Sequence, residues 1–246
     1  MLHSATSFIL KRKKVVSITD NRINNILWYI IECYSLLLKD NPKYSKKYVS
    51  KKTTLHFEDY LKIRLVEDYL KKNKALLISK VSALEEITFH YETVKGFTDI
   101  LDGKEKSDKI DIYVNKLGLK RKWAVEDEDL YFAIECKRIK VLSDCKDYLD
   151  DTQNFVNRKY NALRLPFEGQ LAFIEDGTLT HISISTEINK RLKASSTIIT
   201  KQFLSSKKIN NSFNGCYPSI HKRNHGKKEL FTIFHLLFDY SKIIVN

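Results

Sequence analysis

The chain has little of what interrupts regular structure: among 246 residues there are only 7 glycines and 3 prolines. Apolar residues make up 43% of it and aromatic ones 11%, so collagen-like, linker-like and disordered readings are excluded. The four cysteines, Cys33, Cys136, Cys145 and Cys216, include no C-x-x-C pair. Neither a disulfide framework nor a zinc ribbon is therefore expected. Long hydrophobic runs are also lacking. The longest, Ile26 to Leu38, is broken by Glu32 and falls short of the ~20 residues that a membrane span needs. Phe8-Ile9-Leu10 precedes Lys11-Arg12-Lys13-Lys14, an order opposite to that of a secretory signal. The expectation is a cytoplasmic chain without membrane contact, long enough to bury a large core without staples.

What is abundant is positive charge. Lys and Arg number 43 against 30 Asp and Glu, a net +13, which favours a polyanionic partner. Residues 1–54 carry 11 basic and 3 acidic side chains and residues 189–246 carry 11 and 2, so the centre is mildly acidic. The lysine runs 11–14 and 43–52 read first as solvated faces that add non-specific attraction to a phosphate backbone.

Periodicity places the elements. After Asp20, Ile23, Ile26, Leu27, Ile30, Ile31, Tyr34, Leu37 and Leu38 recur at helical spacing until Asn41-Pro42 ends the run. A lysine-rich connection covers 43–53, and a second helix is expected from Leu55 to Lys72. Strands are expected at Leu76–Ile78, Ile87–Tyr91, Lys109–Val114 and Tyr131–Ile139, with a polar hairpin or loop between the last two. Helical spacing returns from Asp147 to Pro166, followed by a strand at 169–174. Ile184, Ile188 and Leu192 favour a helix over a strand, and Leu230–Val245 fits either. This succession is that of an α/β or α+β core.

Within Tyr131–Ile139, a two-residue period puts Tyr131, Ala133, Glu135, Lys137 and Ile139 on one face and Phe132, Ile134 and Cys136 on the other. A carboxylate and an ammonium thus project from a strand covered by apolar residues on both sides. Buried charge is costly unless paired or bound to a cation. Acid-x-Lys triplets also occur at Asp102-Gly103-Lys104 and Asp144-Cys145-Lys146, but only Glu135-Cys136-Lys137 lies in a strand. Only it follows a short strand that carries an acid near its start, Asp111; Asp108 and Asp99 are the competing acids.

Asp111, then Glu135-x-Lys137 on the next strand, with a helix before and a helix and strand after, resembles the PD-(D/E)xK nuclease superfamily. Ile110 stands where the name-giving pattern has proline. The segment Phe155-Val156-Asn157-Arg158-Lys159-Tyr160 followed by 169–174 is similar to the helix and strand that follow the active site in small bacterial proteins of this type. The resemblance implies a restriction-endonuclease-like αβββαβ core over residues 55–195, with a mixed central sheet flanked by helices. A helical, basic N-terminal extension (1–54) precedes it, its helix either part of the core or free to serve a partner, and a basic C-terminal extension (196–246) would pack on it. It also implies metal-dependent hydrolysis of DNA phosphodiester bonds and a bacterial or phage restriction or defence role. A catalytically silent nucleic-acid-binding or regulatory module on the same fold, or an RNA-directed nuclease, are the alternatives.

Hard carboxylates suit Mg²⁺ or Mn²⁺. Asp111 and Glu135 are the expected ligands, with the Cys136 backbone carbonyl as a third. Lys137 is expected to orient or help deprotonate the attacking water and to stabilise the developing anion. Glu58, on the helix from Leu55, is a candidate additional acid, with Asp59 competing. Arg158 and Lys159, and the His221-Lys222-Arg223 run with His225, are candidate phosphate contacts. Cys216, His221 and His225 have a spacing that suggests zinc but lack the fourth ligand that a structural site needs. Cutting both strands needs two active sites or two events, so a homodimer is a reasonable expectation.

Overall fold

The computed structural model describes residues 5–80, 86–117, 130–160, 165–224 and 229–246. The polar connection between the Asp111 strand and the Glu135 strand, 118–129, and His225 lie outside the described residues.

Helix α1 spans Ala5–Asp40. Its apolar stripe from Ile23 to Leu37 is buried, and Tyr29 donates to the Leu70 carbonyl at 2.6 Å while Tyr34 stacks on Phe238 at 4.0 Å. The helix is therefore part of the layer that covers the sheet. The lysine-rich connection contains a short strand β1 (Tyr44–Ser45) and helix α2 (Lys46–Lys52), whose N-cap is the Ser45 hydroxyl. Helix α3 (Phe57–Arg64) continues as a π-helical stretch over Leu65–Leu70, and α4 follows at Lys74–Lys80. The strand expected at Leu76–Ile78 is thus helical: three apolar residues do not distinguish a strand from a helical turn.

Strands β2 (Thr88–Asp99), β3 (Glu105–Asn115) and β4 (Phe132–Ile139) run antiparallel in succession. Helix α5 (Cys145–Asn157) then crosses over to β6 (Phe167–Ile174), parallel to β4, after a three-residue strand β5 (Arg158–Tyr160). Helix α6 (His181–Ala194) crosses to β9 (Leu230–Asp239), parallel to β6, with β7 (Thr200–Gln202) and β8 (Cys216–Lys222) beyond it. The chain is closed by β10 (Ile244–Val245), which pairs with β1. The result is a mixed sheet of order β5-β2-β3-β4-β6-β9-β8-β7, flanked by helices on both faces.

The ambiguous segments resolve by partner. Leu230–Asp239 is a strand because parallel β6 and antiparallel β8 occupy its two edges, whereas His181–Ala194 is a helix because Thr180 caps it through the Ser183 N–H. The C-terminal residues 196–246 thus supply strands of the same sheet.

Both faces of β4 are covered. Phe132, Ile134 and Cys136 join the core under α1 and α3, while Tyr131, Ala133 and Ile139 join the one under α5 and α6. Strand β6 is buried at every residue, as a central parallel strand requires. Gly169 is its tightest point, because a Cβ there would lie 2.8 Å from Ile134 Cγ1 and 3.1 Å from the Phe132 ring. Gly169→Ala is expected to cost about 1–3 kcal/mol through overpacking, read as a lower urea midpoint; an unchanged midpoint would show that the β4–β6 packing has slack.

Candidate functional site

Strands β3 and β4 pair through Val114↔Phe132, Tyr113↔Ala133 and Ile112↔Ile134. Continued by one step, this register sets Asp111 opposite Glu135. The ladder ends there, and side chains take over its hydrogen bonds. The N–H groups of Cys136 and Arg138, two residues apart and so on one edge of β4, donate to Asp111 Oδ2 at 2.8 Å and to Glu58 Oε2 at 2.9 Å. Two acids thus dock on β4 through backbone contacts, and Glu58 brings the start of α3 with it.

Helix α3 presents Glu58 and Lys62 one turn apart on the same face. Lys62 is 1% exposed. Its ammonium donates to Asp111 Oδ1 at 2.7 Å and to Asp59 Oδ1 at 2.9 Å, with Glu92 Oε1 of β2 at 3.5 Å. Lys137 Nζ lies 3.7 Å from Glu58 Oε1 and 3.6 Å from Asp151 Oδ2. Asp151 comes from the inner face of α5, among the buried residues Tyr148, Thr152 and Phe155.

Six carboxyl groups (Glu58, Asp59, Glu92, Asp111, Glu135 and Asp151) therefore gather around the Lys62 and Lys137 ammonium groups, with Lys109 pairing Glu92 from the exposed side at 3.1 Å, and the electrostatics follow from the excess of acids. Burial, then the Asp111 and Asp151 carboxylates, push the Glu135 carboxyl well above its ordinary range, because both desolvation and like charge disfavour ionisation. Burial pushes Asp151 up to about 7, with Lys137 opposing and Asp111 adding to the rise. Burial likewise raises Glu58 against the pull of Lys137 and the Arg138 N–H. Although burial opposes it, the neighbouring Asp151 and Glu58 carboxylates hold the Lys137 ammonium above its ordinary value. Glu135 Oε1 and Asp151 Oδ2 are buried without a hydrogen-bond donor.

These observations sort the sequence expectations. Asp111, Glu135, Lys137 and Glu58 come together. Asp108 and Asp99 do not, since Asp108 pairs with Arg158 and Asp99 with Lys106 at 2.7 Å. Asp59 faces Lys62 rather than Lys137. Sequence reasoning missed Lys62 and Asp151. For Asp151 there was a signal, an acid on the apolar stripe of its helix at i+3 from Tyr148 and i−4 from Phe155. Lys62 merely borders the stripe of Leu61 and Leu65, and nothing marks it as buried.

Several expected phosphate contacts are internal. The Arg223 guanidinium is buried against Glu168 Oε1 at 3.1 Å, donates to the Phe155 carbonyl at 3.0 Å and lies over the Phe231 ring. His221 is fully buried, within hydrogen-bond distance of Ser219 Oγ and Thr200 Oγ1, and burial pushes its imidazole down to about 4. It is uncharged at neutral pH and gives a phosphate nothing to pair with. The basic loop fails at these two residues because strand β8 carries His221, and Arg223 just after its end, into the interior. Lys222 is half-buried on β8. Arg158 opens β5, paired with Asp108 and over the Phe97 ring; the Lys159 side chain lies outside the described residues. Cys216 is buried on the opposite sheet face from His221, so the spacing that suggested zinc does not converge.

Two surface cavities, of about 630 and 580 Å³, lie away from the carboxylates, beside Tyr44, Tyr60 and Tyr69 and beside Gln153, Arg191 and Asn224 respectively. Among the described residues no helix is long and apolar enough to cross a membrane. No known protein family, curated protein or solved structure matches the chain.

Two outcomes follow from the electrostatics. An acid held at about 7 against an ordinary 3.8 favours the fold fully below the ordinary value, and this stability is lost as pH rises through about 7. The metal-free protein should therefore lose stability as pH rises from about 4 to about 7, and Asp151→Asn should make that slope shallower in urea titrations; an identical slope would refute the placement. Arg223→Met removes the guanidinium from buried Glu168 and is expected to cost about 3–5 kcal/mol, measured by denaturation.

Proposed function

We propose that this chain is a metal-dependent nuclease of the PD-(D/E)xK type acting on DNA. The observation that carries the proposal is the meeting of Asp111 and Glu135 at the end of the β3–β4 ladder, beside Lys137, with Glu135 Oε1 buried and lacking a donor. The succession α3, β2-β3-β4 antiparallel, α5, then β6 parallel to β4 supports a restriction-endonuclease-like core. The basic flanks suit a phosphate backbone.

The residues fit a hard divalent cation. Among the described residues no group of three or more His, Cys, Asp or Glu side chains is arranged to hold a metal ion. Mg²⁺, however, keeps several waters and is commonly bound by one or two carboxylates together with substrate phosphate. Asp111 and Glu135 would hold it, and the orphaned Glu135 oxygen together with the mutual repulsion of the two acids marks the place where positive charge is lacking. When bound, the ion supplies charge neutralisation at the phosphate and acidification of water.

The protein's own part is electrostatic. The raised value of Lys137 keeps it an ammonium at neutral pH, so its role is to hold the water and the developing anion by charge and hydrogen bonding. Of the two expected roles, orienting the water or helping to deprotonate it, the ammonium form suits the first. Glu58 and Asp151 aim the Lys137 side chain from two sides. The Cys136 N–H fixes one oxygen of Asp111 and the Arg138 N–H one oxygen of Glu58, so the acids are oriented before substrate arrives.

A second reading, a nucleic-acid-binding module without turnover, is favoured by the engagement of both Asp111 oxygens by internal donors. Plasmid DNA, single-stranded DNA and RNA incubated with Mg²⁺ or Mn²⁺ separate the two. The wild type should cut DNA, and Glu135→Ala and Lys137→Ala should each lose about 100-fold or more in rate with unchanged circular dichroism. Equal binding without cleavage by all three proteins would establish the binding module instead, and preferential cleavage of RNA would move the substrate class.

A further inference from the structure

Lys62 has no role in the chemistry above, yet it is 1% exposed, and a buried ammonium persists only where its charge is matched. The matching comes from three elements: Asp111 on β3 at 2.7 Å, Asp59 on α3 at 2.9 Å and Glu92 on β2 at 3.5 Å. Carboxylate oxygens from separate elements converge here at ion-pair distances suited to an ammonium, a charge that a hard cation would otherwise have to supply. Here the cation at that point belongs to the chain. The neighbouring position differs, because the Glu135 carboxyl interacts with Asp111 and its Oε1 is buried and has no donor. Asp111 serves both positions, through the oxygen given to Lys62 and through its approach to Glu135. In two-metal phosphodiester chemistry, ions sit about 3.5–4 Å apart, a separation that one bridging carboxylate can span.

We propose that Lys62 is a resident cation filling the second cation position of this centre, so that the protein takes up one divalent ion rather than two. The inference rests on the reading of Asp111 and Glu135 as the pair that holds a divalent cation. Lys62 is thereby a positioning residue. It holds Asp111 Oδ1 toward α3 and leaves the remaining lone pairs of that carboxylate for the ion shared with Glu135. An ammonium donates hydrogen bonds where a metal would accept oxygen ligands, so the Asp59–Glu92 side of the centre gathers no water or phosphate oxygen through a second ion.

The test is the number of Mn²⁺ ions bound per full-length, metal-free chain, measured by calorimetry and by equilibrium dialysis. Lys62→Met should bind one ion more than the wild type, Lys62→Met with Asp59→Asn should lose that extra ion, and Lys62→Arg should keep the wild-type number. An equal number in wild type and Lys62→Met overturns the proposal. A wild type that binds no ion, or whose ion survives Glu135→Gln, refutes the metal assignment at Asp111 and Glu135 and is read separately from the difference made by Lys62→Met. Circular dichroism in the presence of Mn²⁺ reports whether Lys62→Met folds. If it does not, the wild type decides: the ¹⁵N ammonium signal of Lys62, assigned with Lys62→Arg, should stay protected from solvent exchange when Mg²⁺ is added, and its loss would show that the ion displaces Lys62 and overturn the proposal.

Discussion

The Asp111 carboxylate is the contact on which the arrangement of this centre depends. It sits on β3, accepts the Cys136 N–H of β4 with one oxygen and takes the Lys62 ammonium of α3 with the other. One side chain thereby ties three elements at the point where the β3–β4 ladder stops. Where a ladder ends inside a structure, the freed N–H groups must find acceptors. Here the acceptors are acids, Asp111 for Cys136 and Glu58 for Arg138. The same contacts that complete the backbone hydrogen bonding also crowd carboxylates together, and that crowding raises Glu135 and Asp151.

Farther along the same face of the sheet, toward β9 and β8, a different kind of buried polarity holds the structure. Tyr148, His235, Ser219, His221 and Thr200 form an unbroken chain of hydrogen-bonding contacts, from Tyr148 Oη at 3.0 Å from His235 Nδ1 to Thr200 Oγ1 at 3.2 Å from His221 Nδ1. Burial keeps both imidazoles neutral at pH 7, and a fully satisfied neutral chain is compatible with a core. It links α5, which carries Asp151, to β8 and β9. Arg223 adds a charged tie from the end of β8 to Glu168 on β6 and to the end of α5. The helix that brings Asp151 to Lys137 is thus anchored from behind by residues that contribute nothing to the centre directly.

Much of the frame was legible along the chain, and for a physical reason. Helices α1, α3, α5 and α6 have one buried face each, so their periods appear in the order of apolar residues. Strand β4 is covered on both faces, so two charges in its middle stood out against apolar neighbours. The neighbourhood of Asp111 and Glu135 was readable because strands consecutive in sequence usually pair as neighbours, and the structure supplied the register. Reading failed where partners came from far away. Leu76–Ile78 looked like a strand because its run was too short to show a period. The basic residues after β8 looked like a surface loop, since nothing local signals that Arg223 meets Glu168, 55 positions away.

By itself, the sequence determined most element types where a face is buried and the pairing of one acid with an acid-x-lysine strand, since each of these depends on neighbours within a few residues or on adjacent strands. Only the tertiary structure decided which charges share the centre. Lys62 and Asp151 enter it from helices on opposite faces of the sheet, and whether a lysine or an aspartate is solvated or buried among six carboxyl groups is set by long-range packing, which leaves no local pattern in the chain.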